Sequence, residues 1–140
     1  MSALYVAFKV GGAEYALPAG DVVQMESFTS ATKVPGTKSY VAGVIQIRGK
    51  VVPLVDLRER FGLPPIERGL DARVVVGSHK GRTVALLVDS AREVVKLEPS
   101  QLQAPPEMVS HEASGLLKAI AQVGTRMLLV LDFSKVIGEE

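Results

Sequence analysis

The chain has 140 residues, of which 47% are apolar and 22% are charged, a composition typical of a folded globular domain. Its net charge of +1 is too small to gather nucleic acid or anionic lipid, and the absence of cysteine excludes disulfides, thiolate metal sites and thiol nucleophiles. The apolar runs are far shorter than the ~18 residues of a membrane span, and the first ten residues lack a secretory signal pattern. We therefore expect a cytoplasmic protein without direct membrane insertion.

Four pairs of short segments rich in Val, Ile and Leu, each pair separated by a turn that contains glycine, predict β-hairpins. In chain order the paired segments are 4–10 with 14–18, 41–47 with 51–55, 74–77 with 83–88, and 116–123 with 126–131. The first turn, Gly11-Gly12, is a dipeptide that tolerates the positive φ angles of a tight hairpin. Four hairpins predict a mainly β, mostly antiparallel protein.

The helix signals are few and short. Asp56, followed three residues later by Glu59, predicts an N-cap with a reciprocal capping contact and a short helix that ends near Phe61. Two further short turns are predicted near Ser100 and Phe133. None reaches the length of a crossover helix between parallel strands, which argues against an α/β fold.

A weak internal repeat indicates two similar β lobes. Residues 49–61, GKVVPLVDLRERF, and residues 124–137, GTRMLLVLDFSKVI, both run from glycine through a basic residue and an apolar strand to Asp and a short helix. Asp56 and Asp132 therefore occupy equivalent positions about half a chain apart. Small closed barrels suit such lobes, because closure removes exposed sheet edges.

The expected organisation is a single domain over 1–140 with two subdomains. We place the first β-barrel subdomain at about 12–70 and the second at about 71–140. The strand at 3–10 is compatible with pairing in either one. Two prolines, a glycine and mixed charge make 63–71 the predicted connection between the lobes.

Three aspartates that follow apolar strands, Asp56, Asp89 and Asp132, are the only pattern that suggests catalysis. A carboxylate-based enzyme would need them to converge on a divalent ion, whereas flanking hairpins favour their interpretation as caps and turn residues. His79 in a predicted turn and His111 in a loop have no metal-ligand partner at motif spacing. Phosphate-binding glycine loops and nucleophile elbows are absent from the sequence, so we expect no enzymatic activity, no metal and no cofactor.

The aromatic content argues against two binding functions. Four Phe, three Tyr and no Trp make a poor stacking platform, so no nucleic acid is expected as a partner. The same content argues against an SH3-like reader of proline-rich peptides, which needs an aromatic groove.

Residues 41–58, VAGVIQIRGKVVPLVDLR, closely resemble the signature of the CheW family of bacterial chemotaxis coupling proteins. Residues 8–18 (FKVGGAEYALP), 85–95 (ALLVDSAREVV) and 126–136 (RMLLVLDFSKV) extend the resemblance over nearly the whole chain. It implies two packed five-stranded SH3-like β-barrels with a few short helices.

The function that the resemblance implies is that of a non-enzymatic adaptor. It would link the regulatory domain of a chemotaxis-type histidine kinase to the cytoplasmic tip of methyl-accepting chemoreceptors in a signalling array. Self-association in array rings stays open. Two alternatives remain within the family: an isolated CheW-like regulatory domain of the kinase itself, and an adaptor of a non-flagellar chemosensory-like pathway.

The resemblance also implies the partner-binding residues. It assigns Val22, Gly43, Ala91 and Ala119 to the walls of a receptor groove between the lobes, where small residues would let a helix approach. Gln24, Gln46 and Arg48 are implied as further partner contacts, and Val34 with Pro35 as a surface that faces the kinase.

Arg48 matches the arginine of the family's Asn-Leu-Arg-Gly motif, with Gly49 as the turn residue after it. Its guanidinium is expected to bind a partner carboxylate or to hold the hairpin through backbone carbonyls.

Four positions depart from the family pattern. Gln24 stands where Glu is common and Gln46 where Asn is usual, while Lys38 and Ala119 replace a frequent proline and glycine. These departures leave the receptor open and fit an adaptor of a non-flagellar system.

Overall fold

The computed structural model describes residues 2–106 and 115–138, and within them the chain forms eleven strands, two short α-helices and two 3₁₀ turns. The strands are β1 (Ala3–Val10), β2 (Ala13–Pro18), β3 (Val22–Ser27), β4 (Val41–Ile47), β5 (Lys50–Asp56), β6 (Arg73–His79), β7 (Arg82–Val88), β8 (Ser90–Leu97), β9 (Leu102–Gln103), β10 (Leu117–Val123) and β11 (Arg126–Leu131). The helices are α1 (Leu57–Arg60) and α2 (Phe133–Ile137), and the 3₁₀ turns are Ala19–Asp21 and Pro99–Gln101. His111 lies outside the described residues.

The strands form two sheets, which confirms the mainly β fold. We call the five-stranded sheet, in the order β3-β6-β7-β5-β4, the first lobe, and the six-stranded sheet, in the order β8-β1-β2-β11-β10-β9, the second lobe. All four predicted hairpins form. The second lobe has one strand more than expected, because the two-residue β9 pairs with β10.

The internal repeat of the sequence is a repeat of the structure. The order β3-β6-β7-β5-β4 matches the order β8-β1-β2-β11-β10 position for position. In both lobes the neighbours are antiparallel except at one place, where β5 runs parallel to β7 and β11 runs parallel to β2. Four matched strands also share an irregularity, since β3, β8, β4 and β10 each have a register shift near their first residues.

The two sheets do not correspond to the two halves of the chain that were expected to meet near residue 70. β6 and β7 complete the first lobe, whereas β1 and β2 belong to the second lobe, so the predicted boundary falls inside the first lobe. The physical reason is the parallel pairing of β5 with β7, which needs a crossover connection rather than a tight turn. α1, the irregular segment after it and β6 together make up this connection.

Three apolar clusters hold the molecule together. One lies within the first lobe around Leu54 and Val76, and one lies within the second lobe around Leu128 and Val130. The third, which we call the shared cluster, combines residues of both sheets with both helices, and its members include Phe8, Leu17, Leu57, Val75, Leu86, Leu131 and Phe133. Because these side chains are buried between the lobes, the two sheets pack as one unit.

The predicted N-cap at Asp56 forms, but the reciprocal contact does not. Asp56 Oδ1 accepts a hydrogen bond from Arg58 N at 3.0 Å, as an N-cap should. In the described part of the chain Glu59 makes no return bond to the Asp56 backbone. That N–H instead donates to Tyr40 O at 2.8 Å.

Candidate functional site

A depression of about 180 Å³ lies between β3 and the β4–β5 hairpin of the first lobe. Its apolar floor includes Ile47, Val52 and Val76, and its rim carries the polar side chains of Gln24, Arg48 and Lys50. We call these six residues the mouth site. Two of the residues implied as partner contacts, Gln24 and Arg48, are thus brought together.

Arg48 is held in an uncommon backbone conformation at the rim. Its φ is +50° and that of Gly49 is +82°, the pair of positive angles that a two-residue hairpin turn of type I′ requires. Glycine adopts this conformation freely, but for arginine it costs on the order of 1 kcal/mol. The Arg48 side chain is exposed and forms no hydrogen bond or ion pair with any described residue. Its guanidinium is therefore available to a partner.

Val22 and Gln24 lie on opposite faces of β3. Val22 pairs with Gly77 and packs on the shared cluster, whereas Gln24 pairs with Val76 and faces the mouth site. The register shift at Val23 produces this arrangement, because a bulge inserts one residue between the two pairs. The two residues therefore do not form one continuous wall.

The fold of the chain itself requires glycine at position 43. A Cβ at Gly43 would lie 2.1 Å from the carbonyl oxygen of Thr32, and its φ of +143° disfavours any side chain. Thr32 is held there by two hydrogen bonds with Val44, of 3.0 and 2.8 Å. The space above Gly43, expected to admit a partner helix, is thus filled by the segment before β4.

Ala91 pairs with Phe8 and lies on the face of β8 that borders the shared cluster. Gln46 is exposed and lines a separate depression, and Ala119 lies on β10 of the second lobe. Val34 and Pro35 form an exposed turn, in which the Thr37 hydroxyl donates to Val34 O at 3.0 Å.

Exposed apolar residues that the sequence analysis did not name lie near Val22, at the seam of the two lobes where the receptor groove was expected. Leu4 and Val94, 51% and 61% exposed, lie on the face of the second lobe that carries Phe8 into the shared cluster. Met25, 37% exposed, lies on the corresponding face of the first lobe, on which Val22 packs. We call Leu4, Val22, Met25 and Val94 the seam surface. The alternation of apolar residues along β1 is the signal that would have revealed it.

Asp89 and Asp56 both form ion pairs with arginine, and Arg68 contacts the two carboxylates. Asp89 accepts hydrogen bonds from Arg58 Nε at 3.1 Å, from Arg68 Nη1 at 2.7 Å and from Gly11 N at 2.8 Å. Arg68 Nη2 also lies 3.2 Å from Asp56 Oδ1. Burial alone would raise the pKa of Asp89, but the bonds from Arg58, Gly11 and Arg68 hold it below its ordinary value. The network ties the segment between β5 and β6 to Asp89, the residue that joins β7 of the first lobe to β8 of the second. Residues 63–71 therefore connect strands within the first lobe and not, as was expected, the two lobes.

Asp132 stands apart from the other two aspartates and accepts a hydrogen bond from the Ser134 hydroxyl at 2.7 Å. Burial would raise the pKa of Asp132, yet Ser134, the Lys135 backbone and the charges of Lys118 and Lys135 keep it lowered. Across residues 2–106 and 115–138, no group of three or more His, Asp and Glu side chains is placed to hold a metal ion. The same part of the chain contains no helix long and apolar enough to cross a membrane.

These features define a class: a two-lobe β protein with a cationic rim that no described residue neutralises and an exposed apolar seam, surfaces suited to binding other proteins. The model of the CheW-like domain matches residues 4–140, and the chain belongs to this family.

Two known relatives match along nearly the whole chain, and a third matches part of it. The chemotaxis protein CheW of Bacillus subtilis is 32% identical over 135 residues, which cover 96% of this chain and 86% of that protein. The crystal structure of the scaffolding protein TtCheW from Thermoanaerobacter tengcongensis has a TM-score of 0.89 at 27% identity and covers 97% of this chain and 92% of its own. Protein PilI of Pseudomonas aeruginosa is 33% identical over 86 residues, which cover 60% of this chain and 47% of that protein.

Proposed function

We propose that this chain is a cytoplasmic, non-enzymatic adaptor that couples methyl-accepting chemoreceptors to the regulatory domain of a chemotaxis-type histidine kinase. The observation that carries the proposal is the CheW-like match across residues 4–140. The names of its relatives support the proposal, since one is a chemotaxis protein and another a scaffolding protein. The engagement of Asp56 and Asp89 by Arg68 is consistent with a structural rather than a catalytic role for these carboxylates.

The receptor surface is proposed to be the seam surface, with Arg48 of the exposed β4–β5 turn as an additional polar contact. A receptor helix presents apolar side chains at i, i+3/i+4 and i+7, and an exposed apolar strip between two rigid lobes suits such a stripe. Leu4 and Val94 would contact the helix from the second lobe, and Met25 from the first. Arg48 at the rim would then bind a polar group of the same partner.

The kinase surface is proposed at the exposed turn of Val34 and Pro35, with Gln46 and its depression of about 340 Å³ beside it. These residues belong to the first lobe and its preceding loop. A contact there leaves the seam surface free, so one copy can bind both partners at once.

A non-flagellar pathway is the second candidate, because Gln24 stands where the family usually has Glu. The receptors that co-purify with the chain from its own cells distinguish the two candidates. Recovery of flagellar-type receptors alone would contradict the second.

Arg48→Asn tests the adaptor function, and the chain offers a matched control. Lys80 has a φ of +51° before Gly81, in the β6–β7 hairpin, so Lys80→Asn changes a cationic residue in the same backbone conformation. Asparagine tolerates this conformation, so each variant should be as stable as the wild type or up to about 1 kcal/mol more stable.

We expect Arg48→Asn to reduce recovery of the complex with a receptor fragment and the kinase regulatory domain in a pull-down, and Lys80→Asn to leave it unchanged. Equal recovery with both variants would refute the role of Arg48.

A further inference from the structure

The helix α2 continues the second lobe but packs on the first. It follows β11 directly, and its residues Phe133, Val136 and Ile137 are buried in the shared cluster. The ring of Phe133 lies so close to Gly77 of β6 that a Cβ at Gly77 would be 2.6 Å from Phe133 Cε1. Glycine at position 77 therefore gives α2 its place on the first lobe.

Two arginines of the first lobe bind the backbone carbonyls at the end of α2. The last carbonyls of a helix lack the intrahelical partners that the others have. Arg60, the last residue of α1, donates from Nε to Val136 O at 2.8 Å and from Nη2 to Lys135 O at 2.9 Å. Arg82, the first residue of β7, donates from Nη1 to Gly138 O at 2.6 Å. Both side chains thus hold the end of the second lobe on the first.

The Arg60 side chain is itself held in place by an aromatic ring. The carbon at the centre of its guanidinium lies 4.4 Å from the centroid of the Tyr40 ring. A planar guanidinium can stack on a ring and donate two hydrogen bonds in its own plane, a combination that the ammonium group of lysine does not reproduce. Arg60 is therefore bound from both sides, by Tyr40 of the first lobe and by the end of α2.

The contacts of α2 lead directly to the seam surface. Val22, a seam residue, pairs with Gly77, the residue on which Phe133 lies. Val22 and Phe133 are both part of the packing around the shared cluster. Leu4 and Val94, the seam residues of the second lobe, lie on the sheet whose strand β11 leads into α2. The attachment of α2 to the first lobe therefore sets how far these two residues lie from Val22.

We propose that Arg60 and Arg82 are positioning residues of the receptor surface, which hold α2 on the first lobe and thereby fix the two lobes relative to each other across the seam. For the receptor, this role rests on the proposed function, whereas the position of the lobes can be measured without any partner. A helix that contacts both lobes at once needs them in one arrangement, and its affinity falls with the fraction of molecules in that arrangement.

The first measurement is the distance between the lobes. The chain has no cysteine, so Val51→Cys in the first lobe and Met127→Cys in the second allow two spin labels to be attached selectively. These side chains are 69% and 58% exposed, so the labels leave the core undisturbed. In pulsed electron paramagnetic resonance we expect a narrow distance distribution with both arginines present. We expect a broader or shifted distribution when Arg60→Ala and Arg82→Ala are combined, and a smaller change with Arg82→Ala alone.

Arg73→Ala is the matched control. Arg73 also donates to two backbone carbonyls, Leu70 O at 2.6 Å and Ala72 O at 2.9 Å, but all three residues precede or begin β6 of the first lobe. Its loss removes the same kind of hydrogen bond without touching α2. The distance distribution and the affinity for a receptor should therefore stay as in the wild type.

The second measurement is affinity, determined by calorimetry with a chemoreceptor cytoplasmic-hairpin fragment and with the kinase regulatory domain. The combined arginine variant should bind the receptor fragment about fivefold more weakly, as expected if about one fifth of the molecules keep the competent arrangement. Its affinity for the kinase domain should not change, because the turn of Val34 and Pro35 belongs to the first lobe. Equal losses of both affinities would indicate general unfolding and would overturn the positioning role.

The two measurements separate this role from the adaptor function. If the distance distribution of the combined variant matches that of the wild type, the positioning role is wrong and the adaptor function stands. The role is also wrong if the distribution changes while the receptor affinity does not. If the wild type binds no receptor fragment, the adaptor function is wrong, and the distance distribution by itself decides whether the arginines position the lobes.

Discussion

Asp89→Asn should destabilise the fold, and the structure gives the size of the effect. The Asp89 side chain is 18% exposed and holds two guanidinium groups and one backbone N–H. Asparagine retains a single acceptor oxygen without charge, so the contacts to Arg58 and Arg68 lose their charge-assisted part. Allowing for partial exposure, the loss amounts to about 2 kcal/mol of unfolding free energy.

The dependence on pH separates this account from a general packing defect. Because the folded protein holds the pKa of Asp89 below its ordinary value, the stabilisation is complete above the unfolded pKa of about 3.9 and is lost as the pH falls through the folded value. Urea unfolding of the wild type and of Asp89→Asn should thus differ at neutral pH and converge in strong acid.

Asp132→Asn is the control for this comparison. The hydrogen-bonding partner of Asp132 is the Ser134 hydroxyl rather than a guanidinium, so its substitution should cost less, about 1 kcal/mol. The reasoning would be refuted if the unfolding free energies of Asp89→Asn and the wild type differed by the same amount from neutral pH down to strong acid. It would also be refuted if Asp89→Asn lowered the unfolding free energy by less than Asp132→Asn does.

Two further pairs of substitutions test the packing of the fold. Gly43→Ala should lower the unfolding free energy by about 2–4 kcal/mol, because the added Cβ collides with the Thr32 carbonyl. Ala119→Gly, at the equivalent position of the second lobe, should lower it by only about 1 kcal/mol. Equal losses of unfolding free energy in urea would contradict this. Arg60→Ala should lower the unfolding free energy by about 1–2 kcal/mol, because Arg60 donates to Lys135 O and Val136 O at the end of α2. Arg60→Lys should recover only part of that loss, and full recovery would show that charge alone matters.

Local features were predictable from the sequence because short-range chemistry sets them. The glycine-containing turns located all four hairpins, and Asp56 marked the start of α1. The repeat of residues 49–61 in 124–137 also pointed to two similar lobes, because it marks the same hairpin and helix in each sheet.

Long-range pairing was not predictable in the same way. The assignment of β6 and β7 to the first lobe depends on a parallel pairing of β7 with β5, for which no turn signal exists. β3 and β8 are edge strands whose bulges interrupt the alternation of apolar and polar residues, and they gave no clear pattern.

The partner contacts of the candidate site stay predictions. The family motif singled out Arg48, but the positive φ of this residue and its place beside Gln24 at one depression are visible only in the structure. The close approach of Thr32 to Gly43 was not predictable, because the composition does not reveal the path of the loop before β4.

The central claim is that this chain transmits receptor state to a kinase. The direct measurement is the autophosphorylation rate of a chemotaxis-type histidine kinase mixed with chemoreceptor membranes, with and without the chain, and with Arg48→Glu in its place. We predict that the rate responds to the receptors only when the wild-type chain is present, with Lys80→Asn fully active and Arg48→Glu inactive. A kinase rate that is the same with and without the chain would contradict the claim.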